Sequence, residues 1–357
     1  MTGFKKLIKV LIAENSSVAA KVLVEIMKKD PDIVIVGMAH DGKEAIELTS
    51  KLKPDIITMD VDLPVIDGLE ATKQIMAYQP TPILILSSAG FKERLPTVFK
   101  AISYGALEIW EKEFMQENLN RISDDLISKL KFLAAIKVIH HPLAKLESIK
   151  KTVQAAYPWA ETDKIEGTKL KDRAVAIVTS TGGPAALLMV LRVLPKNLPC
   201  PIFVVQHISL GFSAGLVEWL NSECDIEVRI PEDREVIKPA FVYMAPDGFH
   251  MRVSPERLIK LSDEPPCNCH KPSGDILFES MGKVYKKGAI GVILTGMGND
   301  GVRGLKVIKE NNGSTIAQDE KTSIVFGMPK VAIDMNVIDR ILPIDEIPLE
   351  IIRLLKG

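Results

Sequence analysis

The sequence predicts an α/β protein: two doubly wound parallel-sheet domains joined by a partly helical linker. Two observations carry this. Short β-branched runs alternate with helical periodicity from Lys6 to about residue 115, and again from Ala174 onward, which is the pattern of βα units. The runs are nearly continuous in Ile, Val and Leu, as strands covered on both faces must be. A length of 357 residues accommodates two or three domains, each able to bury its own core.

In the first half, strands are expected at 8–13, 33–39, 55–60, 83–87 and 107–110. Helices are expected at 18–29, 43–51, 69–77, 96–104 and from 117 to about 132. From about Ser123 to Lys171 Lys and Glu rise, strand patterns vanish, and His140-His141-Pro142 and Tyr157-Pro158-Trp159 punctuate the chain, as in a linker. The second half places strands at 175–179, 202–206, 242–245, 290–295 and 315–318, with helices such as 183–193 and 302–310. The resulting division is 1–125, a linker over 126–171, and 172–357.

Charge narrows the functional classes. Lys and Arg total 45 against 46 Asp and Glu, so no broad field exists to hold nucleic acid or anionic lipid, and partners must be recognised at local sites. Four cysteines without a paired framework point to a reducing compartment. Lys5, Lys6 and Lys9 surround a very short apolar stretch closed by Glu14, which is no signal-peptide core, and a cytoplasmic setting is expected. The uncharged stretches between Arg173 and Arg192 and between Lys196 and Glu218 are interrupted by Thr-Ser-Thr-Gly-Gly-Pro and by Gln206, His207 and Ser209. They read as buried strands followed by polar turns, without membrane insertion.

Open parallel sheets carry their functional residues at the carboxyl ends of strands. In the first half those ends hold Glu14 and Asn15, Asp60, Ser87 and Lys112. Converging carboxylates repel one another unless a hard cation such as Mg²⁺ sits among them. A central Asp beside such a cation, with a hydroxyl and an ammonium to hold phosphoryl oxygens, is equipped to form an aspartyl phosphate. With the run from Pro54 through Asp60, Val61, Asp62, Leu63 and Pro64 to Gly68, residues 7 to about 125 resemble a two-component receiver domain, which implies a flavodoxin-like fold. The resemblance makes Asp60 the phosphoacceptor, Ser87 and Lys112 its supports, and Glu14, Asn15 and Asp60 the residues around Mg²⁺. Asn15 stands where receivers carry a second acid, so weakened Mg²⁺ binding is expected, and Glu113 replaces the usual proline after Lys112.

Three motifs compete in the second half. Gly296-Met297-Gly298-Asn299-Asp300-Gly301, with Asp319 beyond the next strand, has the spacing of a dinucleotide-binding loop. Asp300 argues against it, since a carboxylate inside the loop would repel the pyrophosphate. Gly211-Phe212-Ser213-Ala214-Gly215 suggests a nucleophile elbow, but six residues separate Ser213 from the strand ending near Gln206, so Ser213 is expected in a loop or as a helix cap. The third starts from Thr179-Ser180-Thr181-Gly182-Gly183-Pro184, where a buried strand meets a hydroxyl at a helix start. Other strands end at His207 and just before Asp300. A serine, an imidazole to take its proton and a carboxylate to fix that imidazole's tautomer are the parts of an acyl-transfer triad.

The runs Ser180–Pro184, Val205–His207, Tyr243–His250, Leu294–Gly301 and Ala317–Glu320 resemble the catalytic domain of the chemotaxis protein-glutamate methylesterase family. The resemblance implies Ser180 as nucleophile, His207 as base, Asp300 as orienting acid and the Met297 amide in the oxyanion hole. It also implies hydrolysis of glutamyl methyl esters on chemoreceptors with deamidation of selected glutamines, control by phosphorylation from a chemotaxis histidine kinase, and a receiver that covers the cleft until Asp60 is phosphorylated. No cofactor is implied for the ester chemistry. Two departures are His207-Ile208-Ser209, where the family continues His-Met-Pro, and Gly274, where a β-branched residue is commoner. A signalling adaptor with a repurposed catalytic domain is the competing reading. Cys267-Asn268-Cys269-His270 has metal-ligand residue types without a second pair at zinc spacing. His250 is expected to line the cleft or support the fold.

Overall fold

The computed structural model describes residues 7–87, 95–112, 119–136, 138 and 172–356. The chain divides into two compact units, 1–141 and 142–357. Residues 139–171, most of the expected linker and with it His140 and His141, lie outside the described residues.

In the first unit, β1 (Ile8–Ala13), β2 (Ile33–Ala39), β3 (Ile56–Asp60), β4 (Ile83–Ser87) and β5 (Glu108–Glu111) form a parallel sheet in the order β2-β1-β3-β4-β5. Strand order reverses between β1 and β3, and that switch point opens the crevice holding Glu14 and Asp60. Every residue of β3 and β4 is buried, which their unbroken apolar runs require. Five helices alternate with the strands: α1 (Ser17–Met27), α2 (Gly42–Leu52), α3 (Gly68–Tyr78), α4 (Leu95–Ser103) and α5 (Leu119–Leu133). Asp41 and Asp67 cap α2 and α3 by accepting from the amides of Glu44 (2.8 Å) and Glu70 (2.7 Å). Gly68 is required on steric grounds, because a Cβ there would lie 1.9 Å from the carbonyl oxygen of Asp60. The loop after β3 therefore folds back tightly on it.

The second unit is built on β6 (Ala174–Thr179), β7 (Ile202–Gln206), β8 (Glu227–Arg229), β9 (Phe241–Met244), β12 (Ala289–Ile293), β13 (Ser314–Gln318) and β14 (Arg340–Leu342), in the order β14-β13-β12-β6-β7-β9-β8. All pairings are parallel. A separate antiparallel hairpin pairs β10 (His250–Val253) with β11 (Ile259–Ser262). The helices are α6 (Gly183–Leu191), α7 (Ser213–Glu223), α8 (Gly274–Tyr285), α9 (Val302–Glu310), α10 (Met328–Asp334) and α11 (Ile347–Lys356). One core runs through Val178, Phe203, Tyr243, Phe278 and Leu305. All nine residues of α6 are buried, so its sequence has no polar face.

Sequence periodicity finds the long central strands and misses β8, β10, β11 and β14. The two edge strands have three residues each, too few to show a period, and the hairpin strands mix buried with half-buried positions. Among the described residues no helix is long and apolar enough to cross a membrane.

Candidate active site

Strand order in the second sheet reverses between β6 and β12, and Ser180, His207 and Asp300 gather at that point. Thr179 pairs with Gln206, so Ser180 and His207 leave neighbouring strands at the same level. The His207 amide donates to the Thr179 carbonyl (3.0 Å), and the Ser180 amide to the Thr295 carbonyl at the end of β12 (3.0 Å). Three adjacent strand ends thus place a half-buried Ser180, His207 and the loop carrying Asp300 in one crevice. Gly296 permits the closest approach: a Cβ on it would stand 2.7 Å from the Ser180 Cβ, so the Gly296-Met297 backbone lies directly against the serine.

His207 Nε2 lies 2.8 Å from Asp300 Oδ2. A carboxylate can only accept, so the proton is on Nε2 and Nδ1 is left as the basic nitrogen. Nδ1 is buried without a hydrogen-bond partner, so the Ser180 contact is unmade in the resting geometry. Asp300 is buried and also accepts from Ser273 Oγ (2.7 Å) and from the amides of Gly274 (2.6 Å) and Asp275 (3.2 Å). Burial pushes its carboxyl up, but His207, Ser273 and the Gly274 amide together hold it below the usual carboxylate range. Its position at the N-terminus of α8 acts in the same direction.

Several supporting residues have no sequence signal of their own. Gln206 Nε2 donates to the carbonyls of Ser180 and His207, both at 2.8 Å, tying the two catalytic loops together. The Thr295 amide donates to Gln318 Oε1, while its hydroxyl donates to the Thr181 carbonyl and accepts from the Val325 amide. Ser273 and Asp275 come from a helix start distant in sequence from Asp300.

In the first unit, Lys112 Nζ lies 2.7 Å from both Glu14 Oε2 and Asp60 Oδ2, and all three side chains are buried. Asp60 Oδ1 accepts from the Asp62 amide (3.3 Å). Burial pushes the Glu14 carboxyl above its usual range, with Lys112 pulling down and Asp60 pushing up. Ser87 is buried at the end of β4, whereas Asn15 and Asp62 are exposed. Two carboxylates against one ammonium leave one negative charge, and the converging hard oxygens of Glu14 and Asp60 suit a cation such as Mg²⁺.

Comparison with known proteins gives these two sites a common context. Residues 10–123 match the family model described as response regulator receiver domain, and residues 175–351 the one described as CheB methylesterase. The chain is 41% identical to the protein-glutamate methylesterase/protein-glutamine glutaminase of Methanococcus maripaludis, over 98% of each chain. The chain belongs to the protein-glutamate methylesterase family. A similarly named protein of Anaeromyxobacter dehalogenans is 40% identical over 98% of this chain and 97% of its own. The methylesterase catalytic domain of Thermotoga maritima, a crystal structure, is 40% identical, with a TM-score of 0.49 covering 52% of this chain and 97% of that one.

Within this family member the competing motifs take structural positions. Ser213 is buried as the first residue of α7, and its hydroxyl caps nothing. Asp247 Oδ2, from a turn far along the chain, instead accepts from the amides of Gly211 (2.9 Å) and Ser213 (3.3 Å). The expected serine cap is thus supplied by a carboxylate from another loop. In the glycine-rich loop, Asp300 turns inward to His207, and Asp319 accepts from the Thr322 amide and hydroxyl within its own turn. His250 is fully buried with Nε2 3.0 Å from the Pro265 carbonyl, a fold-supporting role. His270, to which the sequence reading assigns no role, lies at this site. Its ring stacks on His207, and among the described residues no group of three His, Cys, Asp or Glu side chains is arranged to hold a metal ion.

Proposed function

We propose that the chain is a phosphorylation-activated carboxylic ester hydrolase acting on glutamyl methyl esters of chemoreceptors, through Ser180, His207 and Asp300. The observation that carries this is the buried Asp300 holding His207 by Nε2 at the strand end beside Ser180, with Nδ1 left free to act as base. As Ser180 Oγ attacks the ester carbonyl, His207 Nδ1 takes its proton and Asp300 stabilises the imidazolium. The carbonyl oxygen, now anionic, is met by backbone N–H groups of the crevice, with the Met297 amide among them. Collapse expels methoxide, which takes the proton from His207 and leaves as methanol. Water, deprotonated by the same nitrogen, then attacks the acyl-enzyme, releasing Ser180 and a glutamate side chain. A glutamine side chain follows the same course with ammonia as leaving group, in keeping with the double name of the relatives.

Asp60 is the proposed phosphoacceptor, with a histidine kinase as donor and Lys112 and Ser87 as phosphoryl partners. Glu14, Asn15 and Asp60 would hold Mg²⁺, which when bound neutralises charge on the acidic pocket and the incoming phosphoryl group. Phosphorylation then relieves inhibition of the catalytic unit by the receiver. The test is methanol release from methylated receptor, with and without a small-molecule phosphodonor, by wild type, Ser180→Ala and Asp60→Asn. Full hydrolysis by Ser180→Ala would sink the triad. Absence of hydrolysis with Asp60-dependent receptor or kinase binding would make the chain an adaptor.

A further inference from the structure

A second imidazole lies over the base. The His270 ring stacks on that of His207 with centroids 3.9 Å apart and planes 7° from parallel. The ring of His207 has one hydrogen bond, through Nε2, and its Nδ1 has none. A single bond leaves an imidazole free to swing about it, whereas a flat neighbour against its face restricts that motion.

The segment bearing His270 is fastened to Asp300 as well. Cys267 and His270 exchange backbone hydrogen bonds of 3.0 and 2.9 Å around a two-residue turn. Its central residues, Asn268 and Cys269, have φ of 50° and 64°, so the turn has the left-handed pair of a tight hairpin. Asn268 Nδ2 donates to Asp275 Oδ2 (2.7 Å), and Asp275 Oδ1 accepts from the amides of Gly301 (3.1 Å) and Gly304 (2.9 Å), just after Asp300. Residues 267–275 therefore grip the base by its face through His270 and its orienting acid through Ser273 and Gly274.

We propose that His270 is a positioning residue, a flat ring that clamps His207 so that Nδ1 faces Ser180. The proposal rests on the Ser180–His207–Asp300 reading. Burial and the neighbouring His207 hold the His270 imidazole below its usual range, with Asp300 pulling the other way, which favours its neutral form. A metal role for the same turn is disfavoured by Arg303, whose guanidinium donates to Cys267 Sγ at 3.3 Å and sets a cation against the sulfur.

The experiment measures methanol release by the full chain at saturating and limiting methylated receptor. His270→Ala is expected to lower kcat by about 10- to 100-fold with KM within about twofold, the loss typical of a displaced catalytic group. His270→Phe, flat and non-titrating, is expected to recover kcat to within about threefold of wild type and to keep the wild-type pH profile. Cys267→Ser and Cys269→Ser stay within about twofold. Equal impairment in His270→Phe and His270→Ala would overturn the proposal by showing that an imidazole nitrogen of His270 itself acts. Wild-type activity in His270→Ala would overturn it too. Nitrogen NMR of the His207 ring separates this from failure of the triad: the Nε2–H tautomer is single in wild type and His270→Phe and exchange-broadened in His270→Ala, whichever group attacks the ester.

Discussion

His207 bonds Asp300 through Nε2, which leaves Nδ1, the nitrogen closer to its own backbone, as the one open to Ser180 in the proposed triad. That choice follows from where the two residues leave their strands: side by side at one level, with Asp300 reaching in from the opposite side. Asp300→Asn, which can donate to Nε2 and stabilise the wrong tautomer, is expected to lower kcat by about 10³–10⁴-fold in methanol release. The folded pKa of Asp300 lies below its ordinary value of 3.8. Its contribution to stability is therefore fully present above that value and lost as pH falls through the lowered one. The stability margin of wild type over Asp300→Asn, measured by thermal unfolding, should be flat from about pH 5 to 8 and shrink below about pH 4. Ser213→Ala should retain wild-type kcat, since that residue is buried as the first of α7.

Helix starts carry much of the positioning. Asp67 caps α3 in the loop that follows β3, and Asp67→Ala should cost about 1 kcal/mol of receiver stability in urea unfolding. At the start of α8, Gly274 donates its amide to Asp300 and packs so closely on β6 that a Cβ would fall 2.4 Å from Val178 Cγ1. Gly274→Val, which introduces the type of residue commoner in the family, is expected to destabilise the catalytic unit by about 1–3 kcal/mol. Val178→Ala in the same chain should recover part of that loss, and a double-mutant cycle in urea measures the coupling. The glycine is thus a fitted partner of Val178, with the catalytic carboxylate depending on the fit.

Two sheets, each with its own switch point, give the molecule two chemically separate sites. One gathers Glu14 and Asp60 around Lys112, and the other needs a single buried carboxylate beside a base. The near-zero net charge hides this contrast. Asp60→Asn should abolish the response of methanol release to a phosphodonor while leaving unstimulated hydrolysis near wild type.

Strand–helix alternation, the runs around Asp60 and Ser180, and the strand ends holding Glu14, Ser87, Lys112, His207 and Asp300 were all legible in the amino-acid order. Periodicity is a local property, and a parallel sheet puts its strand ends together whatever the loops do. The tertiary structure alone decided which nitrogen of His207 meets Asp300, that Gln206 and Thr295 knit the loops around Ser180 and His207, that Asp247 rather than a serine serves the start of α7, and that His270 covers the His207 ring. Each of these is a contact between segments far apart in the chain, fixed by packing and by hydrogen bonds whose partners no spacing rule links.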